Sequence, residues 1–168
     1  MPEHTPPRRI VTGHDSSFRS IIVSDGPPPA SRTITDGATF HDMWISATRP
    51  PALAPTEPEP VQPGPELGPP PDGSNVRIVH MPPGTRSPMH RTETLDYGVV
   101  LEGEVTLVLD DGSATKVGPG ELVVQRGTNH AWENRTEGVT RVLFVMLGAR
   151  FGPELRAALP EDAVMREI

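Results

Sequence analysis

From Val76 to Leu147 the chain is cut into short β-branched and apolar runs by regularly placed turn signals. The turns are Pro82-Pro83-Gly84-Thr85, Glu102-Gly103, Asp110-Asp111-Gly112, Gly118-Pro119-Gly120 and Arg126-Gly127-Thr128-Asn129. Runs this short can bury an apolar face only by pairing into an antiparallel sandwich or barrel. The expected strands are Val76–Met81, Leu95–Leu101, Glu104–Leu109, Ala114–Val117, Leu122–Gln125, His130–Asn134 and Thr140–Leu147. Asp110-Asp111-Gly112 is a hairpin signal, and Pro153–Leu159 predicts a short helix that opens on its proline.

Ahead of this region, Arg8–Thr12 and Arg19–Ser24 predict a hairpin. Thr39–Ala47 predicts a further strand, with Phe40, Asp42 and Trp44 on one face and His41, Met43 and Ile45 on the other. Pro50–Pro71 holds ten of the 22 prolines, which rules out a helix or a central strand. It reads as an extended surface linker, with a flap over a cavity as the alternative. The expected organisation is N-terminal strands over 1–49, the Pro-rich loop over 50–75, a barrel over 76–150 and a helix and tail over 151–168.

A length of 168 residues fits one domain. A net charge of -7 without a basic stripe argues against nucleic acid as a partner. The absence of cysteine excludes disulfides, thiolate metal sites and cysteine nucleophiles. The longest apolar run, near Val142–Leu147, is too short for a bilayer, and the first residues lack a secretory apolar stretch. The expectation is a cytoplasmic protein with no membrane partner.

Two histidines and an aspartate, His90, Asp96 and His130, each stand at a fixed distance from a turn glycine. Two imidazoles and a carboxylate suit either a metal ion or proton transfer, and burial in an apolar barrel would perturb their titration. By strand parity Trp132 and Asn134 share the face of His130, while Tyr97 points away from Asp96. Thr92 would line the wall and Arg126 the mouth, so Thr92, Trp132, Arg126 and Asn134 are the candidate substrate contacts.

These residues resemble the two sequence blocks of the cupin superfamily, in its small single-barrel form. Gly84, His90, Asp96 and Gly103 match the spacing of the first block. Gly127, His130 and Asn134 match the second, with Gly120 opening the strand before them and Leu101–Glu104 (LEGE) between the blocks. Three positions depart from the pattern: Thr92 replaces the second histidine, Asp96 the glutamate and Gln125 the proline.

The resemblance implies an all-β, antiparallel jelly-roll barrel with extra N-terminal strands and a short C-terminal helix. It implies an enzyme acting on a small organic substrate, and a homodimer. Family members hold a divalent metal with three histidines and a glutamate. Here the set would be reduced to His90, Asp96 and His130, which leaves two options, one Fe, Ni, Mn or Zn ion or a metal-free site. Lyase or isomerase chemistry in a secondary-metabolite pathway (dehydration, decarboxylation or cyclisation) is the leading expectation. The alternatives are a metal-dependent dioxygenase and a non-catalytic ligand-binding barrel.

Overall fold

The computed structural model describes residues 5–55, 65–165 and 167. It contains eleven strands and one helix among these: β1 Arg9–His14, β2 Ser20–Gly26, β3 Ala30–Thr33, β4 Thr39–Ser46, β5 Ser74–Met81, β6 Thr94–Glu102, β7 Val105–Leu109, β8 Ala114–Val117, β9 Leu122–Arg126, β10 His130–Glu133, β11 Thr140–Gly148 and α1 Pro153–Ala158. Six strands form one antiparallel sheet in the order β3-β4-β5-β11-β6-β9, and three form a second in the order β10-β7-β8. The β1–β2 hairpin is a separate two-stranded sheet. Among the described residues no helix is long and apolar enough to cross a membrane.

The turns follow from glycine at the positions where the chain reverses. Gly103 and Gly127, with φ of 75 and 61, occupy a region costly for residues with a Cβ. The strands between them alternate. On β6, Asp96, Gly98 and Val100 are buried, whereas Leu95, Tyr97 and Val99 are not. On β5, Arg77, Val79 and Met81 line the barrel interior. The core gathers Phe40, Val79, Met81, Val100, Val105, Leu107, Trp132 and Val142 from both large sheets.

Three expectations are corrected. First, β4 carries a bulge between Asp42 and Trp44, so Asp42 faces Arg77 while Trp44 faces Val76. The extra residue reverses the parity, and Trp44 leaves the face of Phe40 and Asp42. Second, Ala30–Thr33 pairs with β4 as an edge strand, which the polar sequence Ser31-Arg32-Thr33 did not announce.

Third, the end of the Pro-rich segment is not a surface linker. Its residues 56–64 lie outside the described residues, but Leu67 is buried in the barrel core. Its carbonyl accepts a bond from Arg77 Nη1 at 2.9 Å. Gly73 and Gly148 tie this strap to β11, through the Gly148 amide and the Gly73 carbonyl at 3.0 Å. A Cβ on Gly148 would overlap the carbonyl of Pro71. Gly148→Ala is therefore expected to lower unfolding stability by about 1–3 kcal/mol, measured by urea titration. An unchanged midpoint would mean that the strap can move off β11 without cost.

The Arg77 guanidinium and the Asp42 carboxylate form an ion pair of 2.7 Å with both side chains almost wholly buried. Asn75 Nδ2 donates to the same Asp42 oxygen at 2.8 Å, and Arg77 stacks 4.5 Å above the Phe40 ring. Buried pairs of this kind contribute little net stability, but losing one partner costs about 3–5 kcal/mol. The pair also cancels the full positive charge that Arg77 brings to the cavity wall.

Candidate active site in the barrel cavity

The second sheet gains an irregular fourth strand that brings the histidines together. The stretch 84–90 runs antiparallel to β10, with Gly84, Ser87 and His90 amides donating to the carbonyls of Asn134, Trp132 and His130. His90 and His130 exchange both backbone bonds, each of 2.8 Å. Their side chains must then project from the same face of the ladder. The rings lie 4.3 Å apart between centroids, and Trp132 stands edge-on to His130 at 5.9 Å.

Across the barrel, the inward alternation of β6 places Asp96 opposite Met146 and Gln125. His90, Thr92, Asp96, His130 and Trp132 all border one cavity of about 80 Å³. The remaining lining is mainly apolar and includes Phe40, Leu67, Met81, Phe144 and Met146. A shallower depression formed by Thr35, Arg86, Pro88 and Met89 shares Asp36 and Ser87 with the cavity and marks its mouth. The cavity leaves room for a compact organic group. A substrate moiety of that size fits inside, with any larger part left at the mouth.

Two expected contacts lie elsewhere. Arg126 is exposed and opposite Leu95, on the outside of the barrel. Asn134 is buried but lies beyond the end of β10, and its side chain is used structurally. Nδ2 donates to the Met81 and Gly138 carbonyls at 2.7 Å each, and Oδ1 accepts from the Thr136 amide and hydroxyl. It clasps β5 to the loop before β11.

The electrostatics of the site follow from burial. Desolvation raises the Asp96 carboxyl to about 6, against a hydrogen bond with Thr94 that pulls the other way. Its Oδ1 is buried without a hydrogen-bond partner. Desolvation, and then the neighbouring His90, lower His130 to about 4. Desolvation also lowers His90, against its bond with the Pro88 carbonyl. Both imidazoles are therefore neutral at pH 7, and Asp96 titrates close to neutrality.

Hydrogen bonds at Nδ1 set the two tautomers. His90 Nδ1 donates to the Pro88 carbonyl at 2.9 Å, which leaves a lone pair on Nε2. His130 Nδ1 is 2.9 Å from Gln125 Nε2 and 3.0 Å from the Thr128 carbonyl, contacts that call for opposite tautomers. The Gln125 amide has its own partners. Its Nε2 also donates to the Thr128 carbonyl at 3.1 Å and to the Thr128 hydroxyl. Turning the amide over would set two carbonyl oxygens against each other. Where Gln125 donates to Nδ1 the ring proton of His130 sits on Nε2, and where Nδ1 donates to the Thr128 carbonyl it sits on Nδ1.

Sequence reasoning noted Gln125 only as a missing proline. Its parity with Asp96 across the β6–β9 ladder was the signal that it faces inward. Arg77, Asp36 and Ser87 were also missed as lining residues.

The residues present do not fit a three-ligand metal centre. Among the described residues no group of three histidine, aspartate or glutamate side chains is close enough to share an ion. The paired imidazoles are two donors, and Thr92 stands where a third would be, its hydroxyl 2.7 Å from that of Thr94. Thr92→His is expected to convert the cavity into a Zn or Ni site holding about one equivalent per chain. Plasma mass spectrometry reads the result. A metal content equal to that of the parent protein would mean that position 92 does not face the imidazole pair.

Comparison with known proteins places this architecture. Residues 77–146 match the model of the cupin domain. Phomopsin biosynthesis cluster protein C' of Diaporthe leptostromiformis is 40% identical over 156 residues, covering 89% of this chain and 82% of the relative. A cupin-domain-containing oxidoreductase of Aspergillus ruber, fogC, is 36% identical over 147 residues, covering 83% of this chain and 71% of that one. A cupin domain of Schizosaccharomyces pombe shares the fold with a TM-score of 0.52 at 11% identity, over 95% of this chain and 98% of its own. The jelly-roll barrel, the paired sequence blocks and the near full-length relatives together show that the chain belongs to the cupin family, as a small single-barrel member.

Proposed function

We propose that the protein is an enzyme of secondary metabolism that moves protons on a small uncharged organic molecule inside the barrel. Dehydration, isomerisation and cyclisation share this step, whereas decarboxylation would need a carboxylate substrate and is set aside. One observation carries the reading: a buried carboxyl titrating near neutrality, with an unbonded oxygen, shares an apolar cavity with two neutral imidazoles. Similarity to proteins named for a biosynthesis cluster supports the metabolic setting.

The roles follow from the protonation states. Asp96, mainly ionised at pH 7 but close to its midpoint, takes a proton from carbon and returns it to a neighbouring atom. A base poised near the working pH combines the right ionisation state with useful basicity. With Gln125 donating to its Nδ1, His130 offers Nε2–H to a carbonyl or leaving oxygen as a neutral donor. His90 offers a lone pair at Nε2 that orients a substrate hydroxyl. The apolar walls exclude water, which strengthens each of these interactions. Among the described residues lining the cavity, Arg77 is the full cation and its ion pair with Asp42 neutralises it, which is why an uncharged substrate fits.

The test is solvent-deuterium incorporation into a panel of compact β-diketones and β-hydroxyketones, followed by proton NMR on chelator-treated protein. Site-dependent incorporation, or water loss from the hydroxyketones, supports the reading. A panel that exchanges no faster than in buffer counts against it. A second reading, oxidation within the same cavity, is favoured by the name of the Aspergillus ruber relative. It requires an electron acceptor, and oxygen consumption that appears only on adding metal would select it.

A further inference from the structure

The barrel cavity opens into a larger space that the proposed chemistry does not use. The cavity holds about 80 Å³, whereas the depression outside it holds about 520 Å³. A ligand that reaches the paired imidazoles with one end therefore has room for a longer part outside, in a volume usual for small-molecule sites. Asp36 and Ser87 border both spaces and so form the throat between them.

Asp36 is held by the tight turn between β3 and β4. Ile34 and Ala38 are buried in the core on either side of it. The Ile34 amide donates to the Ala38 carbonyl and the Gly37 amide to the Ile34 carbonyl, each at 2.9 Å. Gly37 supplies the φ of 90 that closes the turn. Asp36 Oδ1 accepts from the Ala38 amide at 2.9 Å. Among the described residues Asp36 makes no other side-chain hydrogen bond and no ion pair, so Oδ2 is an unused acceptor.

Ser87 belongs to the irregular strand 84–90. Its Oγ accepts from the Trp132 amide at 2.9 Å, and its own amide donates to the Trp132 carbonyl at 3.0 Å. The oxygen is thereby fixed in place, and among the described residues the hydroxyl proton has no acceptor. The throat thus offers an unused acceptor on one element and an unused donor on another. Arg86 borders the depression and pairs with Glu133 at 3.0 Å. With Asp36 and Arg86 both present, the space carries charges of both signs and gives no net preference for an ion. Pro88 and Met89 complete its lining, Met89 being 38% exposed, and an apolar chain can lie along them.

We infer that the substrate carries a secondary amide seated in this throat, its N–H donating to Asp36 Oδ2 and its C=O accepting from the Ser87 hydroxyl. The N–H and C=O of a trans amide point to opposite sides of the chain, so an acceptor and a donor on different elements satisfy both at once. An ester at the same place offers an acceptor alone and leaves the Asp36 oxygen without a partner, which the site penalises. This rests on the cavity being the reacting end: an uncharged carbonyl head lies beside Asp96 and His130, the amide in the throat and the remaining chain over Met89.

Isothermal titration calorimetry with N-butylacetoacetamide and butyl acetoacetate tests it, since the two differ only in N–H against O at the linkage. The parent protein should bind the amide about tenfold or more tighter. In Asp36→Asn the side-chain oxygen still accepts from the Ala38 amide, which keeps the turn, while an NH2 group replaces the unused oxygen. The ratio of the two Kd values should then fall to about one. Ser87→Ala should weaken both probes by a similar factor and leave their ratio unchanged. Equal affinities in the parent protein, a preference that survives Asp36→Asn, or binding of neither probe would overturn the inference. Deuterium exchange on the same amide separates this from the proton-transfer reading. The expected affinity ratio without exchange would contradict proton transfer alone, and exchange with equal affinities would contradict the amide throat alone.

Discussion

Asp96→Asn is expected to make the protein more stable at neutral pH and to abolish its proton transfer. The amide keeps the shape of the carboxyl and removes the charge that burial penalises. In the folded chain Asp96 titrates at about 6, above its ordinary value of 3.8. The folded state therefore holds this proton more tightly than the unfolded state does. The penalty is absent below about pH 4, grows as pH rises towards 6 and is complete above it. The gap corresponds to about 3 kcal/mol at pH 7, and Asp96→Asn should recover a large part of it in urea unfolding. Activity should fall by about 10²–10⁴-fold, the usual contribution of a general base. A variant that is less stable at pH 7 would mean that the carboxylate is held by a favourable partner. Retained activity would remove Asp96 from the chemistry.

His130→Gln is expected to act on stability with the opposite slope. His130 titrates at about 4 when folded, below its ordinary 6.5. Here the unfolded chain takes up the proton first. The stability that His130 contributes is whole above about pH 6.5 and is lost as pH falls towards 4, again by about 3 kcal/mol. In the parent protein the two groups therefore nearly offset each other between pH 4 and 6. Asp96→Asn exposes the histidine term, and its stability should fall steeply on acidification. His130→Gln exposes the aspartate term, and its stability should rise over the same interval. Parallel curves for the two variants would contradict the burial argument. Turnover of His130→Gln should fall by about 10²-fold, the typical cost of losing one positioned donor to a developing oxyanion. Substrate binding should be less affected.

The barrel was legible in the sequence because its turns and its alternation are local. Gly103, Gly112, Gly120 and Gly127 all adopt positive φ where the chain reverses, and the uninterrupted parity of β6 set Asp96 inside. The pairing of His90 with His130 was legible for the same reason, since each lies at a fixed offset from such a turn. What failed depended on non-local geometry. A single bulge at Met43 turned Trp44 to the outer face. Parity extended past Glu133 put Asn134 on the cavity side, but the strand had ended and the side chain clasps a loop instead. Parity did contain the answer for Arg126, because its neighbour Gln125 faces Asp96. Leu67 reaches the core from a proline-rich stretch with no periodicity of its own. The carbonyl bond to Arg77, the bond between the Gly148 amide and the Gly73 carbonyl, and the close approach of Pro71 to Gly148 fix that strap.

The central claim is proton transfer carried by Asp96 and the two imidazoles themselves, and one measurement addresses it most directly. The deuterium-incorporation rate for the best compound of the ketone panel is compared before chelation, after exhaustive chelation and in Asp96→Asn. The expected result is a rate unchanged by chelation and reduced to the buffer level in the variant. A rate abolished by chelation and restored by a single divalent metal, with Asp96→Asn still active, would contradict the account.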